Sequence, residues 1–558
     1  MKKIAIILAA FMFVGIIGCE KDFLDINVDP NVPTTAEPSK LLTGAQVSMA
    51  YVFTQRNYVG NGLLSFVHQL VSREVPQYNM QASGTLGNTW SSAYTSILPN
   101  LDAIISEQTA NGNLRYVGIS KLMKAYTFSV MVDLFGDIPY SESNIPGLIA
   151  PKLDDDVEVY NTLIALIDEA IEDLNNTEAS NLISPSTDDL IYGGNIDKWL
   201  RLANTLKLKL FLNTRNVQSE ITDYADALDA LIAEDNFMLE DEDFEFWFTN
   251  QMTPDQRHPA FVDEYDGGQI TYYISPWFYE IMNGLTINAT ENPLAGVNDP
   301  RVPYYWVNQL TASDDAQNPH EYRHDNFVSI VFGSIGPNAD GAQRESATMI
   351  GLYPCGGKYD DGTGSGGEGF KGSDGDGVAP QKFITYASSR FMLAELAITG
   401  VITGDAEEYF EEGVRAAFAH VNKVVSNSTM EGIPAIAPAD IDNYVTSVLS
   451  LYGTTDDEGK LEMIMTQKWI SNFFNPVESY TDYRRTGYPV LFDPLPGEVI
   501  IPVDYEGNFN TTSPVQLIRK YPKSLWYPSS EVELNPNVTQ KTNLSESRVF
   551  WDTRTYDY

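Results

Sequence analysis

Apolar side chains recurring at helical spacing, in one long segment after another, constrain this chain more than any other feature. In 117–134, Ile119, Met123, Tyr126, Val130 and Leu134 fall on one face. A second pattern opens after Asp154-Asp155-Asp156, acidic residues suited to a helix N-terminus, and carries Tyr160, Leu163, Ile164, Ile167, Ile171 and Leu174. The segment 195–213 sets Trp199, Ala203, Leu206 and Leu210 against Lys198, Arg201 and Lys207. Around 383–398 the run Phe391-Met392-Leu393-Ala394 is apolar on every side, which places that helix centrally. Another begins near Leu461 and carries Met465, Trp469 and Phe473. Strand-like alternation is scarce, so the fold class is mostly α. No repeat of fixed period is visible, so the pattern alone does not establish a helix-pair solenoid.

Between 241 and 379 the texture changes. Helical periodicity fades, Gly, Asn, Asp and aromatics rise, and the stretch ends in the Gly/Asp tract 356–377. The chain from 491 to 558 is similar. Two helical blocks, 40–240 and 380–490, are therefore expected to support one loop-rich part, 241–379 and 491–558, because irregular chain of this length is kept for a use. With 558 residues and 43% hydrophobic content, a large core is affordable. The net charge of −41 would repel phosphates, which argues against nucleic acid as a partner and against adhesion of the body to an anionic leaflet.

The N-terminus reads as a secretory signal over 1–18: Met1-Lys2-Lys3, an apolar run from Ile4 to Ile17, and Gly18. That run is shorter than the roughly 20 residues of a membrane-spanning helix. Ile16-Ile17-Gly18-Cys19 fits a bacterial lipobox, which makes Cys19 the lipid anchor and 19–39, polar and proline-dotted, a flexible tether. The other cysteine, Cys355, is expected to be a small buried residue, and a disulfide between the two is excluded once lipid occupies Cys19.

Motifs that would suggest catalysis fail their context. His320-Glu321-Tyr322-Arg323-His324 is a literal H-E-x-x-H, which on a helix binds zinc with the glutamate as general base. Pro319 precedes it, Asp325-Asn326 follows, and no apolar stripe flanks it, so an exposed loop is expected and a zinc hydrolase is the minor alternative. The G-x-G-x-x-G of 362–367 has neither a strand before it nor a helix after it. Asp374-Gly375-Asp376-Gly377 has part of a calcium loop without the remaining ligands; a solvated turn is the default and a structural calcium the alternative. Nothing else points to an enzyme or to a cofactor.

Several runs stand out along the chain: Asp25-Ile26-Asn27-Val28-Asp29-Pro30-Asn31, Val132-Asp133-Leu134-Phe135-Gly136-Asp137-Ile138-Pro139-Tyr140, and Asp189-Leu190-Ile191-Tyr192-Gly193-Gly194 with Lys198-Trp199 and Ala203-Asn204. Further on come Ile384-Thr385-Tyr386-Ala387 through Ala394-Glu395-Leu396-Ala397, Gln467-Lys468-Trp469, Asp482-Tyr483-Arg484-Arg485-Thr486-Gly487-Tyr488-Pro489, and Tyr527-Pro528 with Glu531 and Asn535. Together, in this order, these runs resemble the SusD/RagB family of outer-membrane nutrient-binding lipoproteins. Ser388-Ser389-Arg390 departs from the more acidic continuation the family leads one to expect. The resemblance implies tetratricopeptide-like helix pairs with a loop-rich ligand-facing part, no enzymatic activity, and a lid-like position over a SusC-like TonB-dependent outer-membrane barrel. The implied cargo is an oligosaccharide, with a peptide in some relatives. Glu20 and Asp22 around Lys21 look similar to surface-export signals, implying an outward-facing lipoprotein of the outer membrane.

Sugars lay C–H faces on aromatic rings while polar groups take their hydroxyls. With 12% aromatic residues, the loop-rich part offers Tyr272-Tyr273 with Trp277-Phe278, and Tyr304-Tyr305-Trp306 with Asn308; the N-terminal loop adds Arg73, Tyr78, Asn79 and Gln81. The ligand-binding candidates are Arg73, Tyr78, Asn79, Trp277, Tyr304 and Trp306. The same rings would equally serve a core beneath loops or a contact with the barrel. Trp90 reads as core, and Arg484-Arg485 as a buried, paired structural element.

Overall fold

The computed structural model describes residues 36–53, 57–72, 78, 80, 84–267, 270–311, 313–314, 322–333, 345–491, 499–500, 515–516 and 520–555. The expected signal, most of the tether, and Cys19, Arg73, Asn79, Gln81, His320 and Glu321 lie outside these residues.

The first helical series comprises α1 (Pro38–Val52), α2 (Gly60–Phe66), α3 (Thr85–Ser92), α4 (Leu98–Asn111), α5 (Leu114–Phe135), α6 (Asp156–Asn175), α7 (Ile196–Asn213) and α8 (Tyr224–Glu234). Sequence-adjacent helices pack together, α4 on α5, α5 on α6 and α6 on α7, as the tetratricopeptide-like expectation requires. Helix α6 starts where its acidic leader suggests, because the Asp155 side chain accepts hydrogen bonds from Val157 N and Glu158 N. Its buried line is Val159, Tyr160, Leu163, Ile167, Ala170 and Leu174, with Ile164 and Ile171 only half-buried at its edge. Close approach to α5 occurs at Gly118, where a Cβ would lie 2.6 Å from Leu174 Cγ and 3.0 Å from the Ala170 carbonyl oxygen.

The second series is α10 (Tyr386–Ile398), α11 (Ala406–Asn427), α12 (Pro438–Tyr452), α13 (Asp457–Ser471) and α14 (Pro476–Thr486), with α9 (Pro276–Met282) lying between the two series. α10 is apolar all round for the expected reason: it packs on α11, α13 and α7 and has little exposed face. Its unusual Ser388-Ser389-Arg390 is accommodated locally. Ser388 Oγ bonds Asn472 Oδ1 at 3.0 Å, and the Arg390 guanidinium stands over the rings of Tyr386 and Tyr409.

Between the helical series lie short antiparallel ladders: β1 (Leu70–Ser72) with β3 (Tyr272–Ile274), β2 (Phe244–Trp247) with β8 (Pro380–Ile384), β4 (Trp306–Val307) with β7 (Met349–Ile350), and β5 (Tyr322–His324) with β6 (Phe327–Ser329). One continuous apolar core runs beneath both helical series and these ladders. Among the described residues no helix is long and apolar enough to cross a membrane.

Residues from the scattered sequence runs converge in a buried polar knot. Asp133 Oδ1 accepts from Tyr160 OH and from Trp551 Nε1 (3.0 Å), while Oδ2 faces Lys209 Nζ at 3.3 Å. Lys209 also meets Glu478 at 3.2 Å, and Arg484 donates to the Asp133 carbonyl. Next to it, Arg485 forks onto Glu395 and Asp482, Lys468 pairs with Asp482 at 2.9 Å, and Arg215 reaches Glu395 at 2.8 Å. Burial alone would raise the Glu395 carboxyl, but Arg485 and Arg215 hold it well below the usual carboxylate range. The pair Arg484-Arg485 is thus the buried structural element that its neighbours in sequence suggest.

Candidate ligand-binding site

A sugar-stacking ring needs an open face, and burial removes most candidates. Of the eight tryptophans, Trp90, Trp199, Trp277, Trp306, Trp469 and Trp551 are buried; only Trp247 and Trp526 are half-buried. Trp306 is 0% exposed, wedged among Phe278, Tyr279 and Phe327, so the structure corrects its expected role to core. Trp277, 7% exposed in α9, and Tyr304, 4% exposed with its OH on Pro434 O at 2.7 Å and its ring against Tyr359, present no open face either. The physical reason is common to all three: the short ladders fold the irregular region onto the helices, and its largest rings fill the seam. Trp90 is core, as expected.

Trp247 and Trp526 differ in what already occupies them. The Trp247 indole N–H donates to Glu245 Oε1 at 2.7 Å, and the Lys423 ammonium sits 5.9 Å from its ring centre. Trp526 lies on a cavity of about 260 Å³ whose lining includes Tyr78, Lys520, Pro522, Asn543 and Ser545. That is just under the roughly 300–1,000 Å³ of ordinary small-molecule clefts.

The cavity is built by the C-terminal segment folding back on the helices. Leu525 N donates to Leu134 O (2.8 Å) at the end of α5, Tyr480 OH in α14 to Pro522 O (2.7 Å), and Tyr527 OH to Asp137 O (2.9 Å). Lys523 N to Leu544 O (2.9 Å) and Ser524 Oγ to Ser547 O (2.7 Å) close the two strands of this return. Lys541 is tucked beneath, donating to Phe135 O and Ser524 Oγ, and burial depresses its ammonium to about 7.

Among the described residues, Tyr78 is the one expected ligand residue that lines this cavity. Its ring packs against Tyr521 (4.9 Å), Phe332 (5.0 Å) and Phe66 (5.4 Å), and its OH lies 3.1 Å from His68 Nε2. Asn543 Oδ1 is taken by Ser545 N (3.1 Å) and Ser545 Oγ (2.9 Å), which orients the amide and leaves Nδ2 as a donor. An aromatic face, an ammonium, an amide and hydroxyls around a small opening can hold a polyhydroxylated ring. Sequence reasoning missed Trp526, Lys520 and Asn543. The available signal was Trp526 immediately before Tyr527-Pro528, a run noted for resemblance alone.

The remaining motifs resolve structurally. Tyr322–His324 is strand β5 of a hairpin, where the zinc reading needs a helix and the loop reading irregular chain; His324 Nδ1 is 2.6 Å from Tyr279 OH. Asp376 accepts from Val378 N, Ser428 Oγ, Thr429 N and Thr429 Oγ1, and Asp374 Oδ2 accepts from Lys371 N, so protein donors occupy both carboxylates of the suspected calcium loop. Among the described residues, the acidic groupings that could hold an ion are elsewhere. One is Asp243, Glu245 and His420, already bridged by Lys423; the other is Asp137, Asp155 and Asp156. Cys355 is fully buried, with its thiol pushed up by burial.

A family model described as "Starch-binding associating with outer membrane", of SusD-like type, matches residues 30–503. No curated protein is similar to the chain at a significant level. Among solved structures, a chitin-binding protein is 22% identical with a TM-score of 0.66, over 93% of this chain and 100% of its own. A SusD homolog of Bacteroides fragilis is 18% identical with a TM-score of 0.65, covering 93% of this chain and 100% of its own. A chitin-binding SusD homolog of Flavobacterium johnsoniae is 20% identical with a TM-score of 0.60, covering 93% and 98%. The fold and the matched run define a SusD-like protein: this chain belongs to the SusD-like family, whose members associate with the outer membrane.

Proposed function

We propose that the protein is a lipid-anchored, surface-exposed binding protein that captures an oligosaccharide and hands it to a SusC-like TonB-dependent barrel, without changing it covalently. The half-open Trp526, which lines a small polar cavity together with Tyr78 and Lys520, is the observation that carries this reading. Membership of a family described as starch-binding supports it, as do chitin-binding structural relatives. In this reading the loop-rich part, 241–379 and 491–558, faces ligand and partner. Cys19 holds the body to the membrane through lipid alone. Calorimetric titration with malto- and chito-oligosaccharides tests the capture step, with Trp526→Ala expected to weaken binding by about 1–3 kcal/mol. Binding of peptides and of no glycan would instead favour the peptide-binding relatives. Co-purification with an outer-membrane barrel, lost when Cys19→Ala releases the protein, tests the partner.

A further inference from the structure

The acidic excess of the chain does not extend to the segment that builds most of the cavity. The protein carries 76 acidic residues against 35 basic ones. Residues 520–555 reverse that balance, with Lys520, Lys523, Lys541, Arg548 and Arg554 against Glu531, Glu533, Glu546 and Asp552. Several of these cations are met by neutral acceptors. Arg548 Nη1 donates to the carbonyls of Asp552 (3.2 Å) and Arg554 (2.8 Å), and Lys541 to Phe135 O and Ser524 Oγ. Lys520, exposed on the cavity rim, has no ion pair among the described residues. Lys523 is depressed by burial first and then by Arg548, with Lys520 adding to this and Asp552 and Glu546 opposing it. Among the described residues no carboxylate lines the cavity.

Building on the glycan-capture reading above, we infer that this cavity takes a sugar bearing an anionic group, a uronate carboxylate or a sulfate ester, with Lys520 as the charge partner and Trp526 as the stacking face. The anion would accept from the Lys520 ammonium and from Asn543 Nδ2 while the ring lies on the indole. Glu546, next in sequence to the lining Ser545, opposes this from nearby, while carboxylates more than about 8 Å away are screened at physiological ionic strength and Lys520 acts at contact.

The test is calorimetric titration of the full-length protein with length-matched oligogalacturonides, sulfated galactan oligosaccharides, and neutral malto- and chito-oligosaccharides. One of the two anionic series is expected to bind at least tenfold more tightly than any neutral one, and which one does so tells carboxylate from sulfate. Lys520→Met should cut that preference about tenfold and Lys520→Arg should keep it, while Lys40→Met, on α1, leaves it unchanged. Neutral sugars binding as well as anionic ones, with loss in Trp526→Ala, would overturn the anionic preference and leave the capture reading standing. Anionic binding indifferent to Lys520→Met would overturn the assignment of Lys520. Binding of no sugar at all would overturn both.

Discussion

Glu462, half-buried on α13, has its Oε1 enclosed with no hydrogen-bond donor among the described residues. Burial, with the nearby carboxylates of Glu291 and Glu458, pushes its carboxyl up to about 7. A folded value above the unfolded one means that the stability this group contributes is present below about pH 4 and is lost as pH rises through 7. Glu462→Gln should therefore stabilise the protein at pH 8 by about 1 kcal/mol, a figure reduced for solvent screening, with a smaller gain at pH 5, as read by chemical denaturation. Glu395 has the opposite sign. Its carboxyl is held low by Arg485 and Arg215 against the effect of burial, so its contribution is present above the ordinary carboxylate range and lost as pH falls through the folded value. Glu395→Gln, which leaves Arg485 with Asp482 alone and takes the carboxylate away from Arg215, should cost about 3 kcal/mol at neutral pH and flatten the acid limb of a stability–pH curve. Single residues also mark where the sequence was hardest to read. Trp306 and Trp526 are chemically the same ring, and what separates them is cover: Phe278, Tyr279 and Phe327 close over Trp306, whereas the return of the chain past Lys541 leaves Trp526 at an opening. No local pattern encodes that difference. Arg484-Arg485 was legible because it stands in a resemblance-bearing run beside Asp482, and a buried guanidinium needs such a carboxylate partner.

Helices were legible as elements, since a 3.6-residue apolar stripe and an acidic cap act within one segment; α6 begins at its Asp155 cap and buries the Tyr160–Leu174 line. The ladders were not legible. β1 pairs Leu70 with Ile274 and β2 pairs Phe244 with Ile384, so each strand is defined by a partner far along the chain, over too few residues to show alternation. Helix pairing has a common device that only the packing reveals. Gly118 of α5 receives Leu174 of α6, and Gly413 of α11 receives Phe391 of α10, where a Cβ would come within 2.7 Å of the ring. Gly118→Val should cost about 1–3 kcal/mol by forcing α5 and α6 apart, measurable as a lower denaturation midpoint with an unchanged slope. An unaltered midpoint would show that the Leu174 side chain yields without moving the Ala170 backbone.

At the scale of the whole molecule, the resemblance-bearing runs and the candidate site have different tasks. Asp133, Glu395, Asp482, Arg484 and Arg485 belong to the buried knot, and Trp551 joins it from the last described residues. These runs therefore made the family and fold readable while leaving the ligand residues obscure: they hold the scaffold together at its centre, and the cavity sits where Tyr78 and the C-terminal return meet at its surface. Trp551 Nε1 fixes that return to Asp133 on α5, so the scaffold and the cavity wall are one structure. In the proposed scheme the lipid on Cys19 acts at this same scale. Cys19→Ala should yield a released, folded protein that binds cargo with unchanged affinity yet fails to support growth on it. Glycan capture at the cavity beside Trp526 is tested most directly by calorimetric titration of wild-type and Trp526→Ala protein with neutral and anionic oligosaccharides. Saturable binding by the wild type and a loss of about 1–3 kcal/mol in the variant are expected; equal affinity in the two proteins would contradict capture at this cavity.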